Sequence, residues 1–132
     1  MSTLLLEIVT PERKVYAQNV EMVVVKGVLG ELGILPNHIP MVTPLKIAPV
    51  RAKRDGKEDI IAVHGGFMEV RKDKVVILAE SAELPEDIDV ERAEAARRRA
   101  EERLRAKQEG VDFQRAQVAL QKALVRLQTA KK

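Results

Sequence analysis

The chain of 132 residues has no cysteine and no tryptophan, and Tyr16, Phe67 and Phe113 are its only aromatic side chains. Without thiols there is no disulfide scaffold, no thiolate zinc site and no thiol nucleophile, a usage that fits a reducing compartment. Three scattered rings exclude a base-stacking platform and an aromatic-lined sugar cleft. No apolar run approaches the ~18 residues that a bilayer span needs. The patch Leu4-Leu5-Leu6 is too short for a signal sequence and follows no basic residue. The chain is therefore expected to be soluble and cytoplasmic. What it does contain is 45% hydrophobic residues, too many for a disordered polymer, so a real core is expected in one domain or a domain with an appendage.

Glycine and proline are unevenly spread. Residues 1–84 hold six of the seven glycines and five of the six prolines, with 11 Lys+Arg balancing 11 Asp+Glu. Residues 85–132 carry 12 Lys+Arg against 9 Asp+Glu, so the whole net charge of +3 lies there, with nine alanines and no proline after Pro85. The first part predicts strands and turns, a flattened β-sandwich or barrel over 1–84; the second predicts an antiparallel α-helical hairpin over 85–132. Strands are expected at Leu4–Thr10, Val15–Ala17, Glu21–Lys26, Ile60–Val63 and Lys74–Ala79, with turns at Asp55-Gly56 and Gly65-Gly66. Two runs, Met22–Val25 and Val75–Leu78, are continuously apolar rather than alternating. A strand wet on one face alternates, so these runs predict cover on both faces, by the tail or by another protein.

In the tail, Asp89 is a suitable N-cap for a first helix whose stripe is Ala93, Ala96, Ala100 and Leu104. Glu109-Gly110 breaks it, and Asp112 caps a second helix with the stripe Phe113, Ala116, Leu120, Leu124 and Leu127. A seam built largely of alanine buries few methylenes, at ~0.8 kcal/mol each, so the hairpin is expected to be weakly held.

The inventory for catalysis is thin. His38 and His64 are the only histidines and form no HExxH pair, while Gly27, Gly30 and Gly33 lack the Gly-Lys-Ser/Thr of a phosphate loop. His38 reads as a structural hydrogen-bonding residue and His64 as a strand-end residue. No enzyme is expected. The run Arg97-Arg98-Arg99 is interleaved with Glu94, Glu101 and Glu102, which favours pairs such as Glu94–Arg98 and Glu101–Arg105 over contact with nucleic acid. The spacing of Arg92, Arg99 and Arg103, at i, i+7 and i+11, is more informative: they lie beside the alanine stripe, and Lys122 and Arg126 sit one turn apart on the second helix. A folded hairpin brings the two cationic rows together. Either surface ion pairs or a bound polyphosphate then offset their repulsion.

Three stretches carry a resemblance. Gly30-Glu31-Leu32-Gly33-Ile34-Leu35-Pro36-Asn37-His38-Ile39-Pro40 closely resembles the signature turn of the epsilon subunits of bacterial F-type ATP synthases. Gly65-Gly66-Phe67-Met68-Glu69-Val70 is similar to that family's Gly-Gly-Phe-Leu-Glu-Val strand. Asp87-Ile88-Asp89-Val90-Glu91-Arg92-Ala93 resembles the Ile/Leu-Asp-x-x-Arg-Ala motif of its ATP-binding members, the Bacillus type. In the first stretch Gly30 and Gly33 suit bulges or positive φ, and Pro36, Pro40, Pro44 and Pro49 are expected to blunt a sheet edge.

The resemblance implies a non-catalytic rotor subunit that couples the gamma subunit to the c-ring during proton-driven ATP synthesis. The sandwich docks on those two partners. The mobile hairpin folds back or extends into the catalytic alpha/beta head, where it inhibits ATP hydrolysis. ATP, as a regulatory ligand and not a substrate, stabilises the folded form. The implied site is Glu83, Ile88 and Asp89 around the adenine, Arg92 and Ala93 at the phosphates, with Arg99, Lys122 and Arg126; Lys122 departs from the arginine of thermophilic relatives and offers a point charge instead of a fork. Mg²⁺ can accompany the nucleotide, but no dedicated ligand cage stands out. Membrane association is implied only through the complex, at the cytoplasmic face. A coupling subunit with a vestigial ATP site and a small basic nucleic-acid-binding adaptor are the alternatives.

Overall fold

A computed structural model describes residues 2–106 and 112–130. Eight strands precede two helices: β1 (Leu4–Val9), β2 (Lys14–Val20), β3 (Met22–Gly27), β4 (Gly30–Ile34), β5 (Met41–Arg54), β6 (Lys57–Val70), β7 (Lys74–Ala79), β8 (Ala82–Glu83), α1 (Val90–Ala106) and α2 (Phe113–Ala130). The strands form a β-sandwich from one wrapped sheet, ordered β2-β1-β7-β6-β5-β3-β4, with β8 on β6. The pairs are antiparallel except β1 with β7. Leu6, Ile8, Val23, Ile34, Ile61 and Ile77 fill its interior with essentially no exposure.

Local chemistry accounts for much of this. Asp55 and Gly56 both have positive φ and join β5 to β6 as a two-residue hairpin, with Arg54 opposite Lys57. The Oδ1 of Asp89 accepts the Arg92 amide at 3.1 Å, and that of Asp112 accepts the Arg115 amide at 3.0 Å, so both helices open on the expected caps. The expected break at Glu109-Gly110 lies outside the described residues.

Other expectations are corrected. Gly65-Gly66 is not a turn: both residues lie inside β6, with φ of 83° and 133°. A Cβ on Gly66 would stand 2.2 Å from the Leu78 carbonyl oxygen, so glycine is required by the neighbouring strand. His64 is accordingly mid-strand rather than at a strand end. The 14-residue β5 runs through Pro44 and Pro49 and lies between β6 and β3, not at an edge. The β3–β5 register shifts between Val24 and Gly27, opposite the stretch that holds Pro49, so the missing proline donor falls where that ladder lapses. Gly30 has the positive φ expected of it, but Gly33 does not: it lies within β4.

The two continuous apolar runs have different fates. Val24, on the outer face of β3, is buried beside a groove of about 430 Å³ that is also lined by Leu124 and Val125 of α2, so the tail stands over that face. On β7, Val75 and Ile77 enter the core, whereas Leu78 and its cross-strand neighbour Phe67 are each 55% exposed, near exposed Val42. The chain itself leaves that face open.

The second helix also departs from its expected stripe. Phe113 and Leu124 are exposed, and the buried positions are Ala116, Ala123, Val125, Leu127 and Thr129. Positions 123 and 127 are about 200° from 125 and 129, so α2 is sandwiched: one side meets α1 and the other meets the sheet. The hydrophobic contact with the sheet is small, made by Val125, Ile88 and Ala62 with Ile47 and Ala130. On α1 only Ala93 and Ala100 are buried.

Gly66→Ala combines an unfavourable φ with backbone overlap and is expected to destabilise the sandwich by about 3 kcal/mol or more. Denaturant unfolding checks this, with Gly65→Ala, which meets only the Glu80 side chain at 3.8 Å, as the milder comparison.

Candidate functional site

A cleft of about 390 Å³ opens where the end of the sandwich, α1 and α2 meet. Because α1 begins at its Asp89 cap, Arg92, Ala93, Ala96 and Arg99 fall on one helical face and form one wall. Glu83 from β8, Asp87 from the 3₁₀ turn Pro85–Asp87 and Arg126 from α2 complete the lining. Ala93 and Ala96 keep that wall low, and Ala93 is buried.

The acids of the cleft are already engaged. Glu83 Oε1 accepts Arg126 Nε at 2.6 Å and lies 2.9 Å from His64 Nε2. Burial alone would raise the Glu83 carboxyl, but the hydrogen bonds from Arg126 and His64 outweigh it and hold it below its ordinary value. Asp87 pairs with Arg13 at 3.3 Å, and Asp89 is occupied by the Arg92 amide. Arg92 and Arg99 differ: both are exposed, and neither forms an ion pair among the described residues. The cleft thus presents two guanidinium groups with no ion-pair partner among the described residues beside a third that is held by Glu83, while Asp89 at its edge bonds only a backbone amide. That arrangement suits an anion with several oxygens.

Of the residues proposed from the sequence, Glu83, Asp89, Arg92, Ala93, Arg99 and Arg126 line this one cleft. Ile88 does not: its side chain is buried against Ala62 and Val125, in the seam between hairpin and sheet. Lys122 is also outside the lining, although its charge acts on His64. Arg103, on the same row of α1, lies beyond the cleft. The sequence reading missed Asp87, Ala96 and the His64 ring behind Glu83. Helical spacing from Arg92 and Arg99 was enough to find Ala96. Farther along α1, Arg97 pairs with both Glu94 and Glu101, the latter at 2.8 Å, in place of the expected Arg98 and Arg105 pairs. Among the described residues no cluster of acids and histidines is placed to hold a metal ion, and no helix is long and apolar enough to cross a membrane.

Comparison with known proteins agrees with this arrangement of sandwich and helices. The family described as ATP synthase, Delta/Epsilon chain, matches over residues 3–85 for its beta-sandwich domain and 86–131 for its long alpha-helix domain. The ATP synthase epsilon chain of Brevibacillus brevis is 64% identical over 108 residues, 81% of this chain and 82% of that one. The ATP synthase epsilon chain of Bacillus subtilis is 56% identical over 109 residues, 83% of each chain. In the cryo-EM structure of the Euglena gracilis mitochondrial ATP synthase, OSCP/F1/c-ring in rotational state 1, one chain matches with a TM-score of 0.83 at 23% identity. That match spans 100% of this chain and 83% of the other, a likeness of fold. A sandwich followed by paired helices, matched by the family over residues 3–131 and by relatives over about four fifths of the chain, assigns it to the ATP synthase delta/epsilon family as an epsilon-type, non-catalytic stalk subunit.

Proposed function

We propose that this chain works in the central stalk as a rotor subunit that couples gamma to the c-ring, and that its hairpin restrains ATP hydrolysis when it leaves the sandwich. ATP is the regulatory ligand, bound in the cleft of Arg92, Arg99 and Arg126 and stabilising the docked hairpin. The observation that carries this reading is the pair of guanidinium groups, Arg92 and Arg99, that have no ion-pair partner among the described residues and line one cleft with Arg126. In this reading the phosphates meet the arginines, and the low wall of Ala93 and Ala96 leaves room for a flat base near Asp89. Ile88 contributes by anchoring the turn rather than by touching the nucleotide. Any Mg²⁺ travels with the phosphates.

Docking surfaces support the coupling role. The open face at Phe67, Leu78 and Val42, and the exposed Val28, Leu29, Leu35 and Ile39 of the loops flanking β4, leave apolar area for gamma and the c-ring. A location at the cytoplasmic face of the membrane follows from those partners. The tail's net charge of +3 suits an acidic surface on the alpha/beta head, with attraction that weakens as salt rises.

Mobility is supported by how the hairpin is seated. Its apolar contact with the sheet is small, and two buried polar atoms, His64 Nδ1 and Thr129 Oγ1, have no hydrogen-bond partner among the described residues. Such an atom costs about 1–3 kcal/mol, so the docked state is handicapped at its own seam. A ligand that binds only that state, present at 100 times its Kd, adds about 2.7 kcal/mol and is enough to reverse a small bias.

Arg92→Ala removes one charge-assisted contact and is expected to weaken ATP binding about tenfold or more in calorimetric titration; unchanged affinity rejects the site. Thr129→Val removes the unpartnered hydroxyl at nearly constant volume. It is expected to strengthen docking by about 1 kcal/mol, read as slower hydrogen exchange of the α2 amides. Faster exchange counts against the loose-seat account.

A further inference from the structure

Along β6, Ile61 and Val63 point into the core while Ala62 and His64 occupy the opposite face, beneath α2, where Ala62 packs on Val125. His64 is fully buried there. Its Nε2 lies 2.9 Å from Glu83 Oε1, the same oxygen that accepts Arg126 Nε at 2.6 Å. Its Nδ1 has no partner among the described residues. An ionised carboxylate only accepts, so Nε2 carries the hydrogen and Nδ1 is bare. A second proton on Nδ1 would bury an N–H with nothing to receive it.

We propose that His64 is a positioning residue of the cleft: its neutral ring holds Glu83 against Arg126, and a proton on the ring releases the hairpin and so lowers the affinity for ATP. The docking half of this rests on a mobile hairpin, and the affinity half on the cleft being an ATP site. The groups around the ring set the sign. Glu83 on β8 favours the proton. Arg126 and Lys122 on α2 oppose it, as does burial, which is the largest influence; together they hold the ring below its ordinary value of 6.5. Asp87 of the 3₁₀ turn lines the same cleft but is tied to Arg13. On β5 the residue opposite is Ile47, with exposed Lys46 beside it, and β6 itself has no charged residue between Asp59 and Glu69. Lifting α2 exposes the ring and removes both opposing cations. Protons therefore bind the undocked form better. The docked form keeps its full advantage above the ordinary histidine value and loses it as pH falls below.

The test uses the full chain. Cysteines introduced as Lys53→Cys on β5 and Gln117→Cys on α2 meet no native thiol, so a donor and an acceptor dye report docking directly. Between pH 8 and pH 5.5 the docking constant is expected to fall by up to about tenfold, the ceiling set by a group of ordinary value near 6.5 that must shed its proton to dock. In the His64→Gln variant the amide still donates to Glu83 but binds no proton. Its ratio between the two pH values is expected to be near one for docking. For ATP that ratio reflects only the titration of the nucleotide, common to both proteins. Equal pH ratios in the two proteins overturn the proposal. If the variant does not fold, the wild-type His64 ring signals decide by NMR. His64 taking up its proton as docking is lost supports the role, and His64 titrating at constant dye distance overturns it. If ATP fails to bind at any pH while docking still follows His64, the nucleotide reading falls and the histidine's role in docking stands.

Discussion

The carboxylate of Glu83 joins three parts of the molecule that are distant in sequence. It sits on β8, accepts Arg126 of α2 and faces the ring of His64 in β6. Without it, one buried edge of the hairpin would place a guanidinium beside an imidazole with no counter-charge. Breaking such a pair from one side is costly because the remaining charge stays desolvated. The contact also fixes one side of the cleft, since the Arg126 that Glu83 holds lines it together with Arg92 and Arg99.

The rest of the seam adds little. Alanines line the contact between the helices, and one small cluster around Val125 joins them to the sandwich. The sandwich is different: a continuous interior from β1 to β8 closes on fully buried Ile, Leu and Val side chains. Two regions of unequal stability in one chain are what a regulated element needs. Mobile parts of proteins come from the weakly held end of the range, while the platform keeps its shape. A hairpin within a few kcal/mol of release responds to ligand, charge and pH, whereas a deeply packed one does not.

How much of this was legible in the sequence follows from how local each cause is. Asp55-Gly56, Asp89 and Asp112 act on backbone within three residues, and their turn and caps are where the residue types place them. The i, i+7 spacing of Arg92 and Arg99 likewise put both on one helical face. Long-range causes were harder to read. Gly65-Gly66 carries a turn composition, yet its glycines answer to the Leu78 carbonyl on another strand. Pro44 and Pro49 read as blunting a sheet edge, but β5 lies between β6 and β3, and Pro49 is accommodated where the β3–β5 register shifts. The α2 stripe was drawn for one partner, and the helix has two, so Val125 and Thr129 are buried where Phe113 and Leu124 are not. His64 looked peripheral because the residues that bury it arrive some sixty positions later. The convergence of Arg126 with the α1 arginines was legible in helical spacing, which sets Lys122 and Arg126 one turn apart on the facing helix; of the residues implied by the resemblance, Ile88 packs in the seam and Lys122 lies outside the cleft lining.

The central claim is that the hairpin docks reversibly on a fixed sandwich and that nucleotide favours the docked form. The most direct measurement is the distance between one label on the sandwich and another near Leu127, in the assembled enzyme, with and without ATP. The account predicts two populations, short and long, with ATP moving molecules from long to short in proportion to its occupancy. A single short distance that ATP does not change would contradict it.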